Sequence, residues 1–120
     1  MKHKQSEEDY LEKILMLQEN NQNVHSIDIA NGMGFSKPSV SIAMHKLEAN
    51  GYITIEKNGV IHLTDEGFKK ASAVYERHKV LSTFLMNIGV SKETALEDAC
   101  EIEHFISEET FEAIKKYDKK

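Results

Sequence analysis

The residues best equipped for chemistry in this chain lie in one stretch, Asp98-Ala99-Cys100-Glu101-Ile102-Glu103-His104. On a helix, positions i, i+3 and i+4 share a face, so Cys100, Glu103 and His104 project a thiol, a carboxylate and an imidazole to one side. That donor set suits a first-row transition metal and not magnesium or calcium, which take oxygen ligands. Asp9 and Glu12, an i, i+3 pair near the start of the chain, offer two more oxygens, and His78 is a further imidazole. Each has a plainer explanation when taken singly. A lone cysteine is ordinarily a small buried hydrophobe. Asp9 and Glu12 suit a helix start, where the dipole favours acids. His78, between Arg77 and Lys79, suits an exposed helix face. The Cys-Glu-His face is what those explanations leave over.

The elements that must position these groups can be followed along the chain. Ser6 with Glu8 and Asp9 reads as a capped helix start, and Tyr10, Leu11, Ile14, Leu15 and Leu17 supply its apolar stripe until Asn20-Asn21-Gln22-Asn23. Ser26 reads as the cap of a short helix over Ile27 to Asn31, with a turn at Gly32-Met33-Gly34-Phe35. Ser36-Lys37-Pro38 restarts a helix with a hydroxyl cap and proline in its first turn, running to Ala49-Asn50-Gly51. Tyr52 to Glu56 and Val60 to Leu63 are β-prone and flank Lys57-Asn58-Gly59, a hairpin signal. Thr64-Asp65-Glu66 opens a long helix over about 65–88, Ser91 one over about 92–105, and Ser107 a last one to about Tyr117, with frayed terminal lysines.

With 120 residues, 40% hydrophobic and 29% charged, the chain has room for one domain or a small domain with an extension. No apolar run is long enough for a membrane span, and the Lys- and Glu-rich start has no apolar signal core, so the expected compartment is the cytoplasm. A single cysteine excludes an internal disulfide. The net charge of −5 is unevenly distributed: residues 6–20 carry −4, residues 37–80 carry +2 and residues 91–112 carry −7. A basic middle can contact phosphates although the whole chain is acidic.

Helix, helix, tight turn, helix and hairpin is the order of a winged helix-turn-helix. The fold class expected is mainly α, with a winged helix-turn-helix DNA-binding domain over 1–70 and a helical dimerisation and metal-binding domain over 71–120. Ser36, Lys37, Pro38, Ser39 and Ser41 in the first turns of the third helix, with His45 and Lys46 beyond them, suit a helix entering the major groove. Lys57 and Asn58 at the hairpin tip suit a wing on the phosphate backbone. The plainer alternative is a winged helix that binds another protein.

The chain resembles the diphtheria toxin repressor/manganese transport regulator family of metal-dependent repressors over nearly its whole length. The resemblance is carried by Glu8-Asp9-Tyr10-Leu11 with Ile14, Ser36-Lys37-Pro38-Ser39-Val40-Ser41, Leu63-Thr64-Asp65-Glu66-Gly67, Arg77-His78, Phe84-Leu85, Ile88-Gly89-Val90, and the stretch from Glu97 to His104. It implies that Cys100, Glu103 and His104 are metal ligands on the dimerisation-domain helix. It also implies that Asp9, Glu12 and His78 match manganese-type ligands. Cys100 stands where the manganese type has a carboxylate and the iron type a cysteine, so the implied site is a hybrid. Ser82 and Leu96 stand where an iron-type ancillary site needs polar ligands, so that site is not expected. Nor is the SH3-like third domain of longer members.

A thiolate shifts preference from manganese(II) towards iron(II), cobalt(II) or zinc(II). Tighter binding of zinc does not by itself identify the metal sensed in a cell, and iron(II) is taken as the favoured corepressor, with manganese(II) as the second. The partners expected are a double-stranded DNA operator and a second copy of the chain, with no membrane and no organic cofactor. The apolar faces of the last helices, Leu81, Phe84, Leu85 and Ile88, then Ile102, Phe105, Ile106, Phe111 and Ile114, would supply the dimer contact or pack within one chain, and both are expected in part. A catalytic metal needs an open coordination position in a substrate pocket, and no loop here is long enough to suggest one, so the chain is not read as an enzyme. The alternative kept open is a winged-helix regulator answering a small ligand or the redox state of Cys100.

Overall fold

The computed structural model of the chain describes residues 2–20 and 23–118, with side chains from residue 7 to 117 at the ends. Asn21, Gln22, Lys119 and Lys120, which entered the reading of the first helix end and the frayed terminus, lie outside the described residues. The elements are α1 (Lys2–Asn20), α2 (Ser26–Met33), α3 (Lys37–Ala49), β1 (Ile53–Ile55), β2 (Ile61–Leu63), α4 (Asp65–Asn87), α5 (Lys92–Ile102) and α6 (Glu108–Asp118). They divide into two compact units, residues 1–72 and 73–120, and α4 runs through the division. None of the helices described is long and apolar enough to cross a membrane.

The first unit is a three-helix arrangement closed by a β-hairpin. Leu11 and Ile14 of α1, Ile29 of α2, Val40, Met44 and Leu47 of α3, and Ile53 and Ile61 of the hairpin form its core, each at most 3% exposed. Each such side chain contributes on the order of 2 kcal/mol by leaving water. α1 starts at Lys2 and not at Ser6, because nothing in Lys2-His3-Lys4-Gln5 interrupts a helix. The N-cap of α2 is His25 and not Ser26: the Asp28 carboxylate accepts a hydrogen bond from the His25 amide at 2.9 Å. α3 is capped by Ser36, whose hydroxyl accepts from the Ser39 amide at 3.3 Å.

β1 and β2 pair antiparallel, Ile53 with Leu63 and Ile55 with Ile61. The turn between them closes by a 2.8 Å bond from the Gly59 amide to the Glu56 carbonyl, with Gly59 at φ 91°. The Asn58 side-chain oxygen accepts from the Val60 amide at 3.1 Å, which fixes the loop. Val24 adds an isolated bridge to Ile61. Thr64 joins this hairpin to α4: its hydroxyl donates to the Gly51 carbonyl at 2.7 Å and accepts from the Gly67 amide at 3.1 Å. Gly67 is required by contact, since a Cβ there would sit 1.9 Å from the Tyr52 carbonyl oxygen. Lys70 of α4 pairs with Glu7 of α1 and lies 4.8 Å from the centre of the Tyr52 ring.

The second unit packs α5 and α6 with the later turns of α4. Val74, Leu81, Ala95, Ala99 and Phe111 are its buried apolar residues. Leu81 and Phe111, expected on a dimer face, are 2% and 3% exposed and so belong to the interior of the chain. Ile88 and Phe105 are more than half exposed, and Ile102 is 37% exposed. A shallow hollow is lined by Ile102, Phe105, Ile106 and Ile114, and another by Phe84, Ile88, Ile114 and Tyr117.

Candidate metal centre

Three of the expected ligands converge in the second unit. His78 of α4, Cys100 of α5 and Glu103 at the C-cap of α5 each present a donor atom, and the three atoms lie within 4.8 Å of one another. His78 Nδ1 stands 3.8 Å from Cys100 Sγ and 3.4 Å from Glu103 Oε1. Cys100 and Glu103 are brought together by their i, i+3 spacing. His78 reaches them from another helix, through the tertiary packing.

The burial of the cluster is graded. Cys100 is exposed, the His78 side chain is 12% exposed, and Glu103 is 1% exposed. Neither Glu103 carboxylate oxygen accepts a hydrogen bond, so its contact with His78 is electrostatic in geometry. A buried carboxylate without donors costs several kcal/mol unless a charge answers it. In the metal-free protein that charge is the His78 imidazolium: the Cys100 sulfur and then the Glu103 carboxylate, outweighing burial, push His78 up to about 10. Sulfur, nitrogen and a donor-starved carboxylate at these separations fit a divalent transition metal, which would take the place of that proton.

The remaining expected ligands are placed differently. α5 ends at Ile102, so His104 lies in the following turn and not on the helix with Cys100. Its ring meets Phe105 edge-on at 6.5 Å, and it is outside the three-residue group. Asp9 and Glu12 stand on α1 of the first unit. Glu12 is 7% exposed, which is more buried than a solvated helix-start acid would be.

Arg77 was read from the sequence only as a flank of His78 and as part of the resemblance. Its Nη1 donates to the Glu103 carbonyl at 3.3 Å and the Ile106 carbonyl at 3.2 Å, and Nη2 donates to Glu108 Oε2 at 3.0 Å. The signal available in the sequence was that a helix ending without glycine leaves carbonyls open that a cation can satisfy. Arg77 thereby fixes the turn that holds Glu103.

In the first unit, Ser36 at the N-cap of α3 and Lys37, Pro38, Ser39, Ser41, His45 and Lys46 on α3 are all exposed, and Lys57 and Asn58 are exposed at the hairpin tip. Three of these, Ser36, Ser39 and Asn58, already have structural partners. Ser36 caps its helix and meets the Ser39 hydroxyl at 2.9 Å, and Asn58 closes its own turn.

Comparison with known proteins gives this arrangement its family. Residues 3–61 match the iron dependent repressor N-terminal DNA binding domain, and residues 64–119 match the iron dependent repressor metal binding and dimerisation domain. The chain belongs to the diphtheria toxin repressor/manganese transport regulator family. It is 35% identical over 113 residues to an HTH-type transcriptional regulator of Methanocaldococcus jannaschii, covering 92% of this chain and 90% of that one. It is likewise 35% identical to the transcriptional regulator MntR of Escherichia coli, covering 94% of this chain and 73% of that one. A solved manganese-dependent transcriptional repressor in complex with manganese is similar with TM-score 0.87 and 30% identity, covering 94% of this chain and 52% of that one. The chain spans about half the length of the solved regulators it matches. Members of this family are metal-dependent transcription repressors with a winged helix-turn-helix and a dimerisation domain, and this repressor is of that kind.

Proposed function

We propose that this repressor uses iron(II) as its favoured corepressor, with manganese(II) second, and that the His78, Cys100 and Glu103 cluster is the core of its metal switch. The observation that carries this reading is the buried Glu103 carboxylate, held without a hydrogen-bond donor beside a sulfur and an imidazole. The sulfur is what favours iron over manganese, since a thiolate is softer than the carboxylates that suit manganese. We assign Asp9, Glu12 and His104 to the same ligand set, on their donor chemistry and their match to the family pattern. A divalent cation supplies the positive charge that this acidic set lacks.

The chain's own residues then do the rest. Residues 1–70 serve as the DNA-binding domain and the helical residues 71–120 as the dimerisation and metal-binding domain. Metal held by the ligand set selects the DNA-binding form of the repressor, in which two copies of α3 meet successive major grooves of an operator. Ser39, Ser41, His45 and Lys46 face the groove while Lys37 and Lys57 hold phosphates. Ile88, Ile102 and Phe105 provide the contact between two copies of the chain. The protein acts on a double-stranded DNA operator in the cytoplasm, performs no catalysis and takes no organic cofactor.

The test is anaerobic fluorescence anisotropy on a labelled duplex from the promoter region of the protein's own gene. Metal-free protein is expected to bind weakly, and iron(II)- and manganese(II)-loaded protein tightly, with iron(II) effective at the lower free concentration. Equal binding with and without metal would contradict the switch. If that binding were lost on thiol oxidation, the exposed Cys100 would be the sensor instead.

A further inference from the structure

We propose that Ile42 reads a thymine methyl group in the major groove and is a base-discriminating residue of α3. The inference rests on the DNA-binding reading above. The buried stripe of α3 is Val40, Met44 and Leu47. At 3.6 residues per turn, Ile42 lies about 200° around the axis from Val40, at the centre of the opposite face. It is 69% exposed, the most exposed large apolar side chain among the described residues.

A single exposed aliphatic needs no explanation on a surface at large. Its neighbours on this helix face make the position informative. Pro38 is four residues before it, His45 three after and Lys46 four after, and all are exposed. The polar and cationic groups around it, Ser39, Ser41, His45 and Lys46, can bond phosphates or polar base edges. Ile42 can neither donate nor accept a hydrogen bond. The apolar feature that a base pair presents in the major groove is the C5-methyl of thymine. Bringing that methyl against Ile42 removes both from water, whereas cytosine at the same place leaves the side chain unmatched and an amino group beside it. The β-branched side chain has little rotamer freedom on a helix, so it presents a fixed surface.

The probe is a set of duplexes enriched by in vitro selection on metal-loaded wild-type protein. In each, thymines are replaced one at a time by deoxyuridine, which removes the methyl and nothing else. At one thymine per half-site, the wild type is expected to weaken about three- to tenfold when the methyl is lost. Ile42→Ala should bind the two duplexes equally, and Ile42→Val should keep part of the dependence. Because the side chain is exposed, both variants should keep the wild-type circular dichroism and nonspecific DNA affinity. Equal methyl dependence in wild type and Ile42→Ala, or no methyl-sensitive thymine in the wild type, overturns the assignment while leaving metal-dependent DNA binding intact. That is also the result if Ile42 docks a protein. Failure to enrich any duplex overturns the DNA-binding reading and this inference with it.

Discussion

His78 Nδ1 lies 3.8 Å from Cys100 Sγ, a contact made between helices across 22 residues of sequence. The same nitrogen is 3.4 Å from the buried Glu103 carboxylate. One proton therefore sits where three metal-donor atoms converge, and the chemistry of the centre follows from its displacement.

The pH dependence has two parts. His78 is pushed up to about 10, against about 6.5 for an unperturbed histidine in the unfolded chain. Its proton thus stabilises the folded, metal-free protein fully below about pH 6.5, and that contribution is lost as the pH rises through about 10. Metal binding must release this proton, so metal affinity should climb over the same window. Calorimetric titrations in buffers of different ionisation enthalpy should show proton release near neutral pH in the wild type. Glu103→Gln should lower the His78 titration, read by NMR of the imidazole.

Cys100→Ser should replace the soft donor by a hydroxyl. Affinity for iron(II), cobalt(II) and zinc(II) should fall more than affinity for manganese(II), moving the preference towards manganese. Cobalt(II)-loaded wild type should show sulfur-to-cobalt charge-transfer absorption in the near ultraviolet, and the variant should not. The same absorption in both proteins would remove Cys100 from the ligand set.

Arg77→Ala should lower stability by about 2 kcal/mol in urea unfolding, because the Glu103 and Ile106 carbonyls both lose a charge-assisted donor. It should also weaken metal binding, although Arg77 is not a ligand, by loosening the turn that carries Glu103. Arg77→Lys should restore little, since an ammonium lacks the planar fork that reaches three acceptors.

Gly67→Ala should destabilise the first unit by about 1–3 kcal/mol through overpacking, since the added Cβ meets the Tyr52 carbonyl oxygen at 1.9 Å. Thermal unfolding followed by circular dichroism reads this directly. An unchanged midpoint would mean that the approach of α4 to the hairpin relaxes without cost.

The elements whose instructions are local were legible in the sequence. Ser36, Ser91 and Ser107 each cap the helix that follows them, and Asn58-Gly59 makes the hairpin turn. What failed depended on partners far along the chain or on competition between neighbours. Ser26 looked the better cap, but Asp28 bonds the His25 amide and moves the helix start back. α5 was extended to about residue 105, yet Arg77 holds the Glu103 and Ile106 carbonyls in a turn, and so His104 leaves the helical face it was expected to share. The Cys100 and Glu103 pair followed from helical spacing. His78 was named as a further imidazole and the resemblance to a family pointed to it again, but its place in the cluster is set by packing that helical spacing does not give.

The most direct test of the account is reciprocity between metal and DNA. Manganese(II) affinity should be measured by anaerobic calorimetry on the protein alone and on the protein saturated with a selected duplex. The account predicts that DNA tightens manganese binding by the same factor by which manganese tightens DNA binding, on the order of tenfold or more. A manganese affinity indifferent to DNA would contradict it, leaving the His78, Cys100 and Glu103 centre as a structural metal site with no part in the switch.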